Sequence, residues 1–337
     1  MSLSPARAAP PRRILLIQKG LLGDVVLTTA LLDDLHHAFP AAAIDFGVGA
    51  AAAPLLQHHA LVAERVIVDA APPLRLAGEI RRRHYDWVVD VQSSPRTAIL
   101  TRLSGAPVRI GWRQRVWGAA YTHPVERVLD REYAVRARRR LLEAGGIAVG
   151  ETLPHLEITA EERAAGERAM VEAGAPAGER RVGMQLSTSE RARNWPLAHF
   201  AALARLVRGA GCTPVVFDAP GDEERIAQLR ALAPDVVVAP RGLRKFLGEL
   251  AACDVFVSGN TGPAHMADAL GVPRVTIFGA TPALAWAPAR PTVIALAGTR
   301  PPHADRRARA RAANDGEDYS ADVLPEHVFA AVRTLLA

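Results

Sequence analysis

The sequence is nearly without lysine and cysteine, and each shortage excludes something. Lys19 and Lys245 are the only lysines in 337 residues, so the formal net charge of +6 is carried almost wholly by arginine. Arginine is the better fork for phosphate and carboxylate oxygens. The two cysteines, Cys212 and Cys253, stand in apolar segments. They give no disulfide framework and no metal centre, and a reducing cytoplasm is the natural setting. No uninterrupted apolar run reaches the roughly 18 residues that a membrane-spanning helix requires. Met1 to Arg13 hold proline and arginine but no apolar signal-type core, so a short flexible lead-in is expected. Gly-x-Gly-x-x-Gly is absent after the first apolar run, which argues against a dinucleotide-binding first domain.

What is present is a lopsided charge. Arg81, Arg82, Arg83, Arg96, Arg102, Arg109, Arg113, Arg115 and the run from Arg136 to Arg140 all fall in the first half. A basic half suits an anionic partner: nucleic acid, anionic lipid or a phosphorylated glycan. The plain alternative is a solvated face with incidental arginines. No recognition motif is interleaved with these residues, so nucleic acid is not expected as a partner.

Nearly continuous Val/Ile runs alternate with helix-type segments. Strands are expected at Ile14–Ile17, Ile44–Val48, Arg65–Val68, Trp87–Val91 and Val108–Gly111. Between them, helices are expected over Val25–Phe39, Leu55–Leu61, Leu74–His84 and Pro95–Leu103. This is the pattern of a parallel sheet covered on both faces. From about Val125 to Ala177 the segments become charged and helical, and the Gly/Ala/Pro-containing stretch Val171–Arg180 marks a domain junction. A second alternation runs from Val182–Leu186 to Val275–Phe278, and an amphipathic helix, Leu324–Leu336, ends the chain. The expected fold is α/β, with Rossmann-like domains at 1–175 and 176–322 and a C-terminal helix, 323–337, returning toward the first. The Arg-rich stretch from Gly298 to Ser320 is expected to be a mobile loop.

Four constellations could carry chemistry. In Gly20-Leu-Leu-Gly23-Asp24 two glycines let the loop fold tightly and Asp24 opens the helix. Asp24 is either a helix cap or a general base facing a cleft. The stretch Gln185–Pro196 offers Thr188, Ser189, Arg191 and Arg193, an inventory for diphosphate or an ordinary polar turn. Asp222 follows a strand and could take ribose hydroxyls or cap a helix. Asp254–Gly279 reads strand, turn, helix, turn, strand, with Asn260, Thr261, Gly262 and His265 at the helix start. Free N–H groups and the helix dipole suit a phosphate there; the alternative is a βαβ crossover with a surface histidine.

Together these motifs resemble glycosyltransferase family nine, the family of the lipopolysaccharide heptosyltransferases. The resemblance runs from Arg13 to about Phe278. Arg13-Ile-Leu-Leu-Ile with Gly23-Asp24-Val-Val-Leu-Thr-Thr, followed by Pro40, resembles the family's amino-terminal loop and catalytic aspartate. Arg193-Asn-Trp195-Pro196 resembles its Lys-x-Trp-Pro, Thr188-Ser189 its phosphate-binding hydroxyl pair, and Asn260-Thr-Gly-Pro-Ala-His265 its Asp-Thr-Gly-Pro-x-His. The resemblance implies a GT-B fold, two Rossmann-like domains facing across a cleft. It also implies an inverting, metal-independent transfer from ADP-L-glycero-D-manno-heptose to an anionic lipopolysaccharide inner core, with Asp24 as base. Thr188, Ser189, Arg193, Asp222, Asn260, Thr261, Gly262 and His265 would then bind the donor, and Gly23, Arg96 and Arg113 the acceptor. No cofactor beyond the nucleotide sugar is implied. The setting would be cytoplasmic, with peripheral contact at the inner membrane.

Two positions depart from the family pattern. Arg193 replaces a lysine and Asn260 an aspartate, so the donor pocket is altered where it would meet the sugar nucleotide. A different nucleotide sugar, a different acceptor, or a nucleotide-binding homologue without activity are the competing readings.

Overall fold

The computed structural model describes residues 9–128, 131–190, 193–217, 221–239, 242–300 and 319–337. Arg191 and most of the Gly298–Ser320 stretch lie outside them.

The first compact unit ends at Glu157. Its elements are Arg13–Ile17 (β1), Leu22–Ala38 (α1), Ala43–Val48 (β2), Arg65–Ile67 (β3), Pro73–Arg82 (α2), Trp87–Asp90 (β4), Pro95–Leu103 (α3), Val108–Trp112 (β5), His123–Val125 (β6) and Ala134–Ala144 (α4). The strands pair in the order β3-β2-β1-β4-β5-β6. Every pairing is parallel, with Ile14 opposite Ile44 on one side of β1 and Trp87 on the other. Ile14 to Ile17 and Trp87 to Asp90 are wholly buried, because helices cover both faces of a parallel sheet. Leu15, Ile17, Val66, Val68, Val88 and Leu100 form a core with Leu76 and Ile80 of α2.

The second unit starts at Ile158. It contains Ala160–Glu172 (α5), Arg181–Gln185 (β7), Leu197–Gly209 (α6), Thr213–Phe217 (β8), Glu223–Leu232 (α7), Val237–Ala239 (β9), Leu243–Leu250 (α8), Val255–Gly259 (β10), Gly262–Ala269 (α9), Arg274–Phe278 (β11), Ala283–Trp286 (α10), Val293–Ala297 (β12) and Pro325–Leu336 (α11). Its strand order, β12-β11-β10-β7-β8-β9, is again parallel throughout and repeats the connectivity of the first sheet. In each unit the chain leaves the first strand in one direction and the fourth in the other. Ligands bind beyond the carboxyl ends of the strands at such a switch point. The points are β1/β4 in the first unit and β7/β10 in the second.

Several elements depart from the sequence expectations. The division falls at Glu157/Ile158, ahead of the expected junction, because Thr159 and Glu162 form a capping box that starts α5 there. α5 then packs on α8 so closely that a Cβ on Gly166 would lie 2.1 Å from the Gly248 carbonyl carbon. The C-terminal helix α11 packs on α6 and over β10 and β11, within the second unit. The expected helix Leu55–Leu61 is a single 3-10 turn, Ala53–Leu56, before the chain turns into β3. β6 and β12 are edge strands that the expected elements do not include. β6 is three residues long and contains Pro124, tolerated because an edge strand has one unpaired side.

Candidate active site

At the first switch point the loop after β1 is held from β4's side. Gln92 Oε1 accepts from the Gly20 N–H (2.8 Å) and from Gln18 Nε2 (2.7 Å). A Cβ on Gly20 would lie 2.5 Å from that oxygen, so glycine permits the approach. α1 begins at Leu22, with Leu21 as N-cap making no side-chain capping bond. Asp24 therefore does not cap the helix; it lies within the first turn. Gly23, buried, precedes it in the same turn. Arg138 of α4 donates from Nη2 to Asp24 Oδ1 at 2.6 Å. The pair is partly buried, the Asp24 side chain 28% exposed, which leaves the carboxylate reachable.

Below this loop Asp90, at the end of β4, is fully buried. Its carboxylate accepts from the Ser93 N–H (2.8 Å) and the Tyr121 hydroxyl (2.8 Å). Burial outweighs these bonds and raises its pKa to about 6. Ser93, held at a positive φ of 46°, receives the Trp112 N–H on its hydroxyl at 2.9 Å. This network fixes the β4 loop that carries Gln92.

Of the expected acceptor residues, Arg96 is committed inward. Its Nε donates to the Val68 carbonyl at 2.7 Å and its Nη2 to the Ala71 carbonyl. Arg113 is exposed and paired with Glu126 at 2.5 Å. Arg109 donates to the Ala120 and Ala106 carbonyls, and Arg139 forms a buried pair with Asp34 at 2.7 Å. Arg81, Arg82, Arg102 and Arg115 are exposed. Part of the basic half is therefore structural, and the remainder can meet an anion.

The second switch point gathers the other motifs. Gln185, closing β7, lies beside Ser258 of β10. A Cβ on Gly259 would lie 2.7 Å from the Arg193 carbonyl oxygen and 2.8 Å from Thr188 Cγ2, so the β7 loop rests directly on the strand that feeds α9. The loop is shaped by its own motif. Asn194 Oδ1 accepts from the Thr188 N–H (2.7 Å), and the Thr188 hydroxyl donates to the Glu190 carbonyl (2.7 Å). Trp195, 1% exposed, stacks edge-on with Phe200 and donates to the Val323 carbonyl at 2.8 Å. Ser189 is exposed, and Arg193 donates to Glu190 Oε1 at 2.6 Å. An incoming diphosphate would share Arg193 with that carboxylate.

Thr261 is the N-cap of α9 and makes no side-chain capping bond, so the cap position suits an anion. Gly262 is the first helical residue. His265 is 5% exposed, not on the surface, with its ring centroid 6.0 Å from that of Trp286. Asn260 is also buried and donates from Nδ2 to the Thr281 hydroxyl at 3.1 Å. An aspartate could not make that donation. Asp222 is 3% exposed and accepts from the Ser187 hydroxyl (2.7 Å) and Gln185 Nε2 (3.2 Å), bracing the end of β7. Gln92 escaped the sequence reading, and Arg138, Asn194 and Ser187 stood in it only as members of an arginine run or a polar stretch, with no role of their own. Each acts through a contact distant in sequence or inside a loop, which no periodicity signals.

The two parallel six-stranded sheets with their helices are the architecture of the GT-B class of glycosyltransferase. The chain belongs to glycosyltransferase family 9 (heptosyltransferase), whose family model matches residues 73–315. Lipopolysaccharide heptosyltransferase 1 of Escherichia coli K12 is 26% identical over 289 residues, covering 80% of this chain and 88% of the relative. Two solved structures share the fold. The family 9 glycosyl transferase of Veillonella parvula superposes with a TM-score of 0.83 at 21% identity, over 96% of this chain and 97% of that one. The E. coli ADP-heptose lipopolysaccharide heptosyltransferase II gives 0.80 at 21%, over 96% and 98%.

Proposed function

We propose that the protein moves a heptose from ADP-L-glycero-D-manno-heptose to the inner core of lipopolysaccharide, with inversion and without a metal in the step. The carrying observation is the reachable Asp24 carboxylate at one switch point, with Thr188 and Arg193 packed on the strand feeding α9 at the other. The relatives named above support the choice of heptose and glycolipid.

Asp24 takes the proton from an acceptor hydroxyl as its oxygen attacks the anomeric carbon. The bond from that carbon to the ADP diphosphate breaks on the opposite face, and the configuration inverts. Negative charge grows on the departing diphosphate. In this reading Arg193, the Thr188 and Ser189 hydroxyls and the α9 start with His265 are the donors that receive it. Arg138 orients the base, and Gln92 fixes the loop before it.

Acceptor binding falls to the exposed basic part of the first unit, with Gly23 letting the sugar approach α1. Val116 is 76% and Trp117 37% exposed, beside Arg113 and Arg115. An aromatic and a valine flanked by arginines suit the interface of an anionic membrane. We assign the protein to the cytoplasmic face on that basis.

Incubation with ADP-heptose and a truncated core acceptor tests the proposal. Heptose transfer by the wild type and none by Asp24→Ala is the expected result; no transfer by either overturns it. A second reading is favoured by Asn260, whose amide is tied to Thr281: the same transfer from another nucleotide sugar. A thermal-shift panel of ADP-, GDP-, UDP- and dTDP-sugars separates the two, because ligand at 100 times its Kd adds about 2.7 kcal/mol.

A further inference from the structure

Three side chains that the transfer reaction does not use converge in the first unit. His59 lies just beyond the single turn Ala53–Leu56, and His155 and Glu157 lie on the segment between α4 and α5. One ligating atom from each falls within 4.8 Å of the others. The two imidazole centroids are 4.5 Å apart, and His155 Nε2 is 3.9 Å from Glu157 Oε1. His59 is 4% exposed, and its Nε2 has no hydrogen-bond partner among the described residues. A buried polar nitrogen left unpaired is costly, and such a group calls for a reason.

The surroundings are those of a ligated histidine. Asp33 of α1 sets Oδ2 3.5 Å from His155 Nδ1, on the side of the ring away from Nε2. A carboxylate in that place orients a metal-bound imidazole and raises its basicity. Glu157 Oε1 accepts the Ala60 N–H at 3.0 Å, which holds this carboxylate against the turn that carries His59.

We propose that His59, His155 and Glu157 form a site for a divalent cation of zinc type, with Asp33 as the carboxylate behind His155. Two imidazoles and one carboxylate are a known three-ligand zinc set, with water in the fourth position. The absence of thiolate disfavours soft cations, and the imidazoles disfavour magnesium and calcium. Ligand atoms at about 2.0–2.2 Å from a tetrahedral ion lie roughly 3.3–3.6 Å apart, so the three side chains close inward by about an ångström. The contact that must yield is the long one, 3.4 Å, from the Leu61 N–H to His59 Nδ1. The site lies apart from the transfer chemistry. Asp33 stands about 13 Å further along α1 than Asp24 at 1.5 Å per residue, so the cation does not meet the base. It staples the His59 turn to the segment that leaves the first unit at Glu157.

The test uses the full-length chain, freed of any affinity tag, stripped with chelator and titrated with Co2+ and then Zn2+. One equivalent of Co2+ with visible d–d bands, displaced by Zn2+, and a raised Tm with Zn2+ are expected. His155→Gln and Glu157→Gln should each weaken binding at least tenfold, as should Asp33→Asn within the range of about 10–100-fold for outer-shell partners. His36→Gln/His37→Gln should leave it unchanged. Both His155 and Glu157 are partly exposed, so their variants remain folded probes even if His59→Gln does not. No stoichiometric binding below about 10 μM, well short of structural zinc affinities, overturns the site. So does Zn2+ binding that the His155 and Glu157 variants leave intact.

Discussion

Arg138 reaches Asp24 with a 2.6 Å bond that joins α4 to the first turn of α1. The guanidinium also donates from Nη1 to the Ala134 carbonyl of its own helix at 2.9 Å, so the fork is fixed before it meets the carboxylate. Asp24→Asn is expected to lower turnover by about 10²–10⁴-fold with donor affinity unchanged, as for loss of a general base. Arg138→Gln should lower it by up to about a hundredfold through misplacement alone. Steady-state rates beside calorimetric Kd values for ADP-heptose check both. A variant that loses donor affinity in step with rate would show Asp24 to be a binding residue.

Arg193 is expected to act on binding. Removing a charged donor costs about 1.5–3 kcal/mol, so Arg193→Ala should raise the Kd for ADP by roughly 10–150-fold. Arg193→Lys keeps the charge and should fall between. Glu190→Gln frees the guanidinium from its 2.6 Å partner and should tighten ADP binding. Unchanged ADP affinity in Arg193→Ala would remove the residue from the donor site.

Gly259 tests whether the two second-unit motifs act together. A methyl group there would press on both the Arg193 carbonyl and Thr188, at 2.7 and 2.8 Å. Gly259→Ala should cost about 1–3 kcal/mol of stability by overpacking. It should also weaken ADP binding without removing any ligand-contacting group. Denaturant titration paired with calorimetry reads the two effects; a stability loss with unchanged ADP affinity would separate the β7 loop from the α9 start.

The helix Pro95–Leu103 was legible residue for residue, because Pro95 takes the first helical position and Ser94 and Thr97 form a reciprocal cap. Asp24 was legible as a candidate through the glycines before it and the family resemblance, but not as a first-turn residue, since Leu22 and Gly23 carry no helix-start signal. Its partner Arg138 looked like any member of an arginine run. Asp222 read as a helix cap before a ribose ligand; its two bonds to Ser187 and Gln185 depend on how β7 and β8 pair, which no local pattern encodes. Strand β7 hides a further case. Arg181 is 3% exposed inside an apolar strand, and Glu167 of α5 neutralises it through two bonds of 2.5 and 2.6 Å.

The exposed pair Val116 and Trp117 gives a membrane prediction. Val116→Ser/Trp117→Ser should weaken sedimentation with vesicles of anionic phospholipid by about tenfold or more, given 1.5–3 kcal/mol per fully buried apolar side chain. Rates on a soluble truncated acceptor should not change. Equal vesicle binding by wild type and variant would place the acceptor membrane elsewhere.

Glu249 yields a prediction about pH. It is fully buried on α8, neither carboxylate oxygen has a hydrogen-bond partner among the described residues, and burial raises its pKa to about 7 despite Lys245. A carboxyl with a raised folded pKa binds protons more tightly folded than unfolded. Its contribution to stability is therefore greatest at low pH and is lost as pH rises from about 4.5 through 7. Between pH 5.5 and 8 this group alone should cost the wild type about 2 kcal/mol of unfolding free energy. Asp90, with its pKa raised to about 6, adds a slope of the same sign that ends earlier. Glu249→Gln should remove the slope that Glu249 supplies between about pH 4.5 and 7, which is most of the fall above pH 6, and leave the part that Asp90 supplies. Urea unfolding at half-unit pH intervals separates the two. Equal slopes above pH 6 in both proteins would mean that Glu249 is already ionised and solvated in the native state.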